Sequence, residues 1–394
     1  MAMKHPAVGA MMSVIVLLGA AANARAQSTV TDIVSFLVTN QSIPTGDAAR
    51  DRAAAEAARD TITRALLVNL AGVPIATSSS GFLYRLNPEL GTVERATQSF
   101  GGFFVERAFS PGHGRATFGL SASSSSFNRL DSEDLRDGSF LTTANRFTDE
   151  AAPFETETLR LHVRSSTMTV YASVGVGDRV EIGAAVPFVR LALEGERVSV
   201  YRGQTFLQAS GSATASGVAD AALRAKFTIF SAHEGGAAIA GEVRLPTGNE
   251  DNLLGAGDLG FRIFGIAALE HGPLMLSGNA GIVRGGVSAE FNTGIAAAVA
   301  VHPRLSLTGE FLARRVDELR PLLRFAAPHP TIAGVQTIRL GVDETEGSTA
   351  AAGITGFKWN PTGTLVIGAH VRWAFTTTGL TAPITPAAGV EYGF

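Results

Sequence analysis

Three features of the sequence predict an all-β chain, a transmembrane antiparallel β-barrel of about fourteen strands (alternatively twelve) preceded by a short N-terminal helix. Apolar and polar residues alternate along successive segments from Gly81 onward, short turn signals take turns with long polar stretches, and the chain ends on an aromatic residue, Phe394. Composition agrees with this reading. Of 394 residues, 45% are hydrophobic and only 17% charged, and 44 glycines suit turns and close-packed strands far better than helices.

The first 26 residues read as a signal peptide. Lys4 supplies the positive start, Val14 to Ala22 an apolar stretch too short to span a bilayer, and Ala24-Arg25-Ala26 an A-x-A cleavage site, so the mature chain is expected to begin at Gln27. An uncleaved anchor helix is the competing reading. No later run reaches 18 apolar residues, which excludes a transmembrane helix and leaves a large soluble β protein or an outer-membrane barrel.

Residues 27–80 are expected to form an N-terminal helical segment. Asp47 is placed to cap a helix over 47–71, Ala58, Ile62, Leu66 and Leu70 fall at four-residue spacing, and Gly72 and Pro74 end it. Its opposite face carries Arg50, Arg52, Glu56, Arg59 and Arg64. Such a helix plugs a barrel lumen, lies in the periplasm, or is a loosely attached extension; the sequence leaves all three open.

Residues 81–394 are assigned to the barrel. Short turns are expected at Ser110–Gly114, Val176–Asp178, His233–Gly236, Glu270–Pro273, Val301–Pro303 and Asn360–Gly363, and long loops at 131–157, 197–217, 247–258 and 317–347. Two strands between neighbouring short turns and a hairpin at each end give fourteen; twelve follow if 81–108 do not form a full hairpin. In 363–375, Leu365, Ile367, Ala369, Val371, Trp373 and Phe375 share one face while His370 and Arg372 share the other. Leu223, Ala225, Phe227 and Ile229 alternate with Arg224 and Lys226 in the same way.

Alternation alone does not separate a soluble sandwich from a barrel, but the chain end does. Val390, Tyr392 and Phe394 lie on one face of the last strand, an ending that resembles the C-terminal signal of outer-membrane barrels and implies recognition by the barrel-assembly machinery. The cell outer membrane of a Gram-negative bacterium is the expected location, with its lipid and lipopolysaccharide as partners.

The stretches Gly217–Phe230, Gly241-Glu-Val-Arg-Leu-Pro-Thr-Gly248 and Gly255–Gly260 are similar to a family of outer-membrane barrels named as transporters of the meta pathway of phenol degradation. That family is related in architecture to fatty-acid and aromatic-hydrocarbon transporters. The resemblance covers about 217–290 and implies passive uptake of small hydrophobic or aromatic solutes. The chain departs from the family in showing Gly217-Val-Ala-Asp220 where Gly-x-Gly-Asp is usual, and it shows no clear hatch signature at its N-terminus. Physically, Pro246 ends hydrogen bonding along its strand and Gly248 opens a turn, so the motif is a strand terminator.

Candidate selectivity residues lie on the polar faces. Arg224, Arg244, Arg262 and Arg372 each fall about ten residues above a short turn, roughly 25 Å along a tilted strand, with Arg224, Arg244 and Arg262 expected at one height on successive strands. Lys226, Glu242 and His370 share those faces. A water-facing arginine row implies a narrow anion-preferring diffusion porin; the competing reading pairs these arginines with Glu242, Glu310 or loop acids. Arg160, His162 and Arg164 form a second basic group. They face the lumen if a bulge sits at Ser165-Ser166, and otherwise face outward at the rim, where lipopolysaccharide phosphates are natural partners.

Other chemistry finds little support. The chain has no cysteine, which removes thiolate metal sites, disulfides and cysteine nucleophiles, and a net charge of −3 argues against nucleic acid. His113, His233, His271 and His302 read as polar turn residues, Ser121 to Ser126 as a strand running into a loop, and Asp131, Glu133, Asp134 and Asp137 as a solvated loop without calcium-loop spacing. No cofactor, metal or catalytic group is expected. A closed barrel with a structural or lipid-modifying role remains a further alternative.

Overall fold

A computed structural model describes residues 28–39, 59–60, 62–70, 84–87, 92–95, 99–131, 133–137, 141–144, 156–201, 203–232, 234–317, 319, 322–328, 333, 336–342 and 347–394. The signal stretch with Ala24, Ala26 and Gln27, the start of the expected helix at 47–58, and His233 lie outside these residues.

Twelve strands close an antiparallel barrel in simple sequence order. They are β1 (Ala116–Phe127), β2 (Thr156–Gly175), β3 (Val180–Tyr201), β4 (Ala221–Ala232), β5 (Gly235–Leu245) and β6 (Gly260–His271), then β7 (Leu274–Gly285), β8 (Glu290–His302), β9 (Leu305–Val316), β10 (Ser348–Trp359), β11 (Leu365–Ala374) and β12 (Ile384–Gly393). Closure runs from Gly393↔Thr117 to Ala387↔Ser123, and the terminal residue completes it: Phe394 N donates to Ala116 O at 3.0 Å and Ala116 N to Phe394 O at 2.9 Å. A closed ring leaves no unpaired edge, which a bilayer requires of any strand that crosses it.

The expected count of fourteen is corrected to twelve, the alternative. The hairpin Tyr84–Asn87 with Thr92–Arg95 pairs only with itself, and the turn at 110–114 leads into β1 from a segment inside the barrel rather than from another wall strand. The remaining short turns join β2 to β3, β4 to β5, β6 to β7, β8 to β9 and β10 to β11. A Pro-Gly-rich turn has the same signature whatever precedes it, which is why the sequence count ran two strands high.

Alternation sets the two faces as expected. Leu223, Phe227, Ile229, Phe261, Ile263 and Trp373 point outward and are exposed, as a lipid-facing band requires, while Arg224, Lys226, His370 and Arg372 point inward. The chain is therefore an outer-membrane barrel by its own surface.

One strand rises well beyond the ring. Gln204–Val218 pairs with the outer half of β3 and continues β4 outward, interrupted at Ala219-Asp220. The Leu-Pro-Thr-Gly motif meets this interruption: β5 ends at Leu245, Thr247 Oγ1 donates to Ala219 O (2.7 Å) and accepts from Ala221 N (2.9 Å), and Asp220 accepts from Gly248 N (3.0 Å) and Ala256 N (2.7 Å).

A helix within the expected helical segment 27–80 but ahead of the one placed at 47–71, α1 (Val30–Thr39), packs on this extension. Its N-terminus is a reciprocal cap in which Thr29 N donates to Asp32 Oδ2 (2.8 Å) and Asp32 N to Thr29 Oγ1 (3.1 Å). Hydrogen bonding from Thr29, its backbone N–H first and its hydroxyl second, lowers the Asp32 carboxyl below its ordinary value. Residues 62–70 are also helical, and their Ile62, Ala65 and Leu66 join Val30, Val34 and Leu37 of α1 in a core with Leu159, Leu161, Leu191 and Leu193 from the outer halves of β2 and β3. Both helical pieces thus sit at the long-loop end, which in barrels of this class faces outward.

Candidate functional site: an occupied lumen beneath an arginine-lined chamber

Residues 99–109 run down the inside of the barrel to the turn before β1, and the wall strands hold them through side chains that the alternation had already turned inward. Glu310 on β9 makes the densest contact. Its carboxylate accepts three successive backbone N–H groups, from Phe103, from Phe104 at 3.0 Å and from Val105 at 2.9 Å. Lys358 on β10 donates to Gly102 O and lies 4.6 Å from the Phe103 ring centroid. The bend that presents three amides to one carboxylate starts at Gly101, whose φ of 67° suits glycine, and a Cβ on Gly102 would lie 2.8 Å from Val105 O.

The rest of the segment is fixed in the same manner. Phe100 N donates to Ser306 Oγ (3.1 Å), and Thr228 Oγ1 donates to Ala108 O (2.9 Å). With its amide turned to suit both partners, Asn279 accepts from Glu106 N at 2.8 Å and donates to Gly278 O at 2.9 Å. Below these contacts Ala108 and Phe109 pack among Ala238, Ala240, Phe264, Ile266 and Met275, so this part of the lumen is filled with apolar side chains.

The candidate residues read from sequence divide into two groups. Arg224 ion-pairs with Glu106, Lys226 pairs with Glu181 at 2.6 Å and reaches Arg107 O at 3.5 Å, and the His370 ring lies 4.2 Å from Phe103 and 5.4 Å from Phe104, centroid to centroid. These three grip the inner segment. Arg244, Arg262 and Arg372 instead line a cavity of about 210 Å³ beyond it. Phe104 and Val105 of the segment lie on one side of that space, and Val68 and Asn69 of the helical residues 62–70 on another.

The expected height of the arginine row is not what the register gives. Arg224 pairs with Glu242 and Glu242 with Arg262, so these three form one level with an acid in the middle, and Arg244 lies two residues further out. A side chain points inward every second residue, so a level is set by hydrogen-bond register and not by distance from a turn. Glu242 turns to Arg244 at 3.0 Å, and Arg262 stacks 4.3 Å from the Phe264 ring that Arg224 also approaches at 5.5 Å.

Sequence reasoning missed Arg314, which lines the same chamber, donates through Nη2 to Asn69 Oδ1 at 3.0 Å and pairs with Glu290 at 3.7 Å. Neither Arg262 nor Arg372 has a carboxylate within 4.0 Å among the described residues. They stand on β6 and β11, five strands apart in a ring of twelve, hence on nearly opposite walls. The chamber therefore carries two guanidinium groups without a direct carboxylate contact among the described residues, in a mixed lining that includes Asp220, Asp258 and Glu290 beside Phe104, Phe127, Val283 and Leu312.

Arg160, His162 and Arg164 do not reach the lumen. Pairing of β2 with β3 runs from Glu157↔Ser199 to Gly175↔Glu181 without a register shift, so there is no bulge at Ser165-Ser166. Leu159, Leu161 and Val163 take the inward face, at most 1% exposed, and the basic residues face out. At the chain end Val390, Tyr392 and Phe394 also face outward together.

No family model matches the chain, and no curated protein matches it. Among solved structures it is similar to an outer membrane channel from Pseudomonas putida F1, with 11% identity and a TM-score of 0.46 over 73% of this chain and 98% of the other. The NanC porin aligns with 4% identity and a TM-score of 0.37 over 70% of this chain and 98% of the porin. OprB of Pseudomonas putida aligns with 10% identity and a TM-score of 0.29 over 71% of this chain and 93% of OprB.

Proposed function

We propose that the protein is an outer-membrane channel for passive uptake of small hydrophobic or aromatic molecules, which enter the outer chamber and pass inward along the segment 99–109. The chamber itself carries this reading. A concave site of about 210 Å³ that joins aromatic and aliphatic side chains to a few polar groups is the usual form of a small-molecule site, and here it lies between the outer loops and a lumen already occupied by chain. A wide open pore would need no such site.

The arginines Arg262 and Arg372 favour a second reading, an anion-preferring channel, because guanidinium groups lining a narrow lumen raise the local concentration of anions. Uptake into proteoliposomes separates the two. Entry of a neutral aromatic such as benzyl alcohol above the protein-free rate, unchanged in the Arg262→Gln/Arg372→Gln double variant, supports the first reading. Anion entry that falls several-fold in that variant supports the second, and no protein-dependent entry of either solute contradicts both.

A further inference from the structure

The outward face of β1, β2 and β3 changes character within one step of the sheet. In register, Ala122, Met168, Phe188 and Val218 form one row across these strands and the outer extension Gln204–Val218. Two residues further out the row reads Ser124, Ser166, Arg190, Ser216, and two beyond that Ser126, Arg164, Ala192, Thr214. The apolar band therefore ends at Met168 and Phe188, and arginine and serine follow directly.

Arg190 and Arg164 occupy diagonal positions on neighbouring strands, about 7 Å apart at their Cα atoms, and both are exposed. A third guanidinium is held at the same corner. Arg136, from the loop after β1, donates through Nη2 to Ser126 Oγ at 2.7 Å and to Phe127 O at 2.9 Å, which fixes it beside the row that contains Arg164. None of the three has a carboxylate within 4.0 Å among the described residues. On β2 and β3 the acids of this face stand further out, Glu194 opposite His162 and Glu196 opposite Arg160, while Asp134, next to Arg136 in the loop, accepts the backbone amides of Arg136 (2.8 Å) and Asp137 (3.2 Å).

Guanidinium groups on a lipid-facing wall are stable only at the level of the headgroups, and the position just above the last apolar row is that level. The outer leaflet of this membrane presents phosphate groups there, on the glucosamine disaccharide of lipid A. Planar guanidinium forks match phosphate oxygens bidentately, and neighbouring serine hydroxyls add donors. We propose that Arg136, Arg164 and Arg190, with the Ser126 and Ser166 hydroxyls, bind a phosphate of lipid A at the outer rim of β1–β3. The absence of a bulge in β2 places Arg164 on this surface and not in the lumen.

The test is binding of lipid A to the full-length protein in an uncharged detergent, followed by native mass spectrometry. Lipid A bearing both phosphates is expected to bind roughly tenfold or more tightly than chemically dephosphorylated lipid A, and the gap is expected to shrink to within about threefold in Arg164→Gln/Arg190→Gln. Equal affinity for the two lipids overturns the proposal, as does an undiminished gap in the variant. That first comparison uses only the wild-type chain, so a folding defect in the variant does not blur it. If millimolar inorganic phosphate displaces lipid A completely and dephosphorylated lipid A is not retained, a phosphate site without lipid preference is shown, and the assignment to lipid falls.

Discussion

Glu310 shows how a single inward carboxylate can fix a length of chain inside a barrel. Three successive amides, those of Phe103, Phe104 and Val105, converge on it, and hydrogen bonds to a charged group are each worth about 1.5–3 kcal/mol. Glu310→Ala is expected to release those amides. Hydrogen exchange read by mass spectrometry should speed at least tenfold for the peptide covering 103–105 and remain unchanged for wall strands such as β7; equal protection in the variant would show that Glu310 does not hold the segment. The Arg224–Glu106 pair makes a second residue-scale case. Arg224→Met strands a buried carboxylate and is expected to cost about 3–5 kcal/mol, more than the Arg224→Met/Glu106→Gln double change, as thermal unfolding of the two variants would show. Alternation along β4 and β11 made Arg224, Lys226 and His370 legible as inward residues. Their partners were not legible, because Glu106 lies 118 residues from Arg224 and nothing local to either marks the pair.

Two elements occupy the axis of the barrel, and they have different tasks. The segment 99–109 fills the lumen through contacts with β4, β7, β9, β10 and β11, whereas α1 and the helical residues 62–70 cover the outer end through an apolar core. Deletion of 28–70 is expected to leave the ion current close to that of the intact chain, because the inner segment stays in place, while exposing the chamber to solutes from outside. A large rise in current on that deletion would move the barrier from 99–109 to the helices. The sequence made the helix near Ile62 and Leu66 legible through four-residue spacing. It hid the inner segment, because Phe100, Phe103, Phe104 and Val105 have the aromatic and β-branched content of a wall strand, and only the absence of a free neighbour in the ring excludes them from it. The cap of α1 was available as Thr29-Val-Thr-Asp32, a spacing that precedes an apolar run.

At the scale of the whole molecule, a twelve-stranded ring with its own chain inside behaves differently from an open tube of the same size. Among the described residues the strands Tyr84–Asn87 and Thr92–Arg95 pair only with each other, so removal of this hairpin is expected to leave the barrel able to fold, seen as unchanged heat-modifiable mobility on electrophoresis; loss of that mobility would give the hairpin a part in the wall. The C-terminal residue is expected to matter more. Phe394 completes closure against Ala116 and presents its ring outward beside Tyr392, 5.9 Å away between centroids, and we propose that this ending is what the assembly machinery reads. The barrel class, the direction of its faces and the position of most short turns could be read from periodicity. The strand count could not be settled, since it depends on whether 99–109 joins the ring or passes through it, and that is decided by long-range contacts with Glu310 and Lys358.

The central claim is that the lumen is occupied by 99–109 and held so by the wall. Single-channel current across a planar bilayer tests it most directly, comparing the wild-type protein with Glu310→Ala. The expected result is little steady current from the wild-type chain and frequent, larger openings from the variant. A large ohmic current from the wild-type protein, identical in the variant, would contradict it.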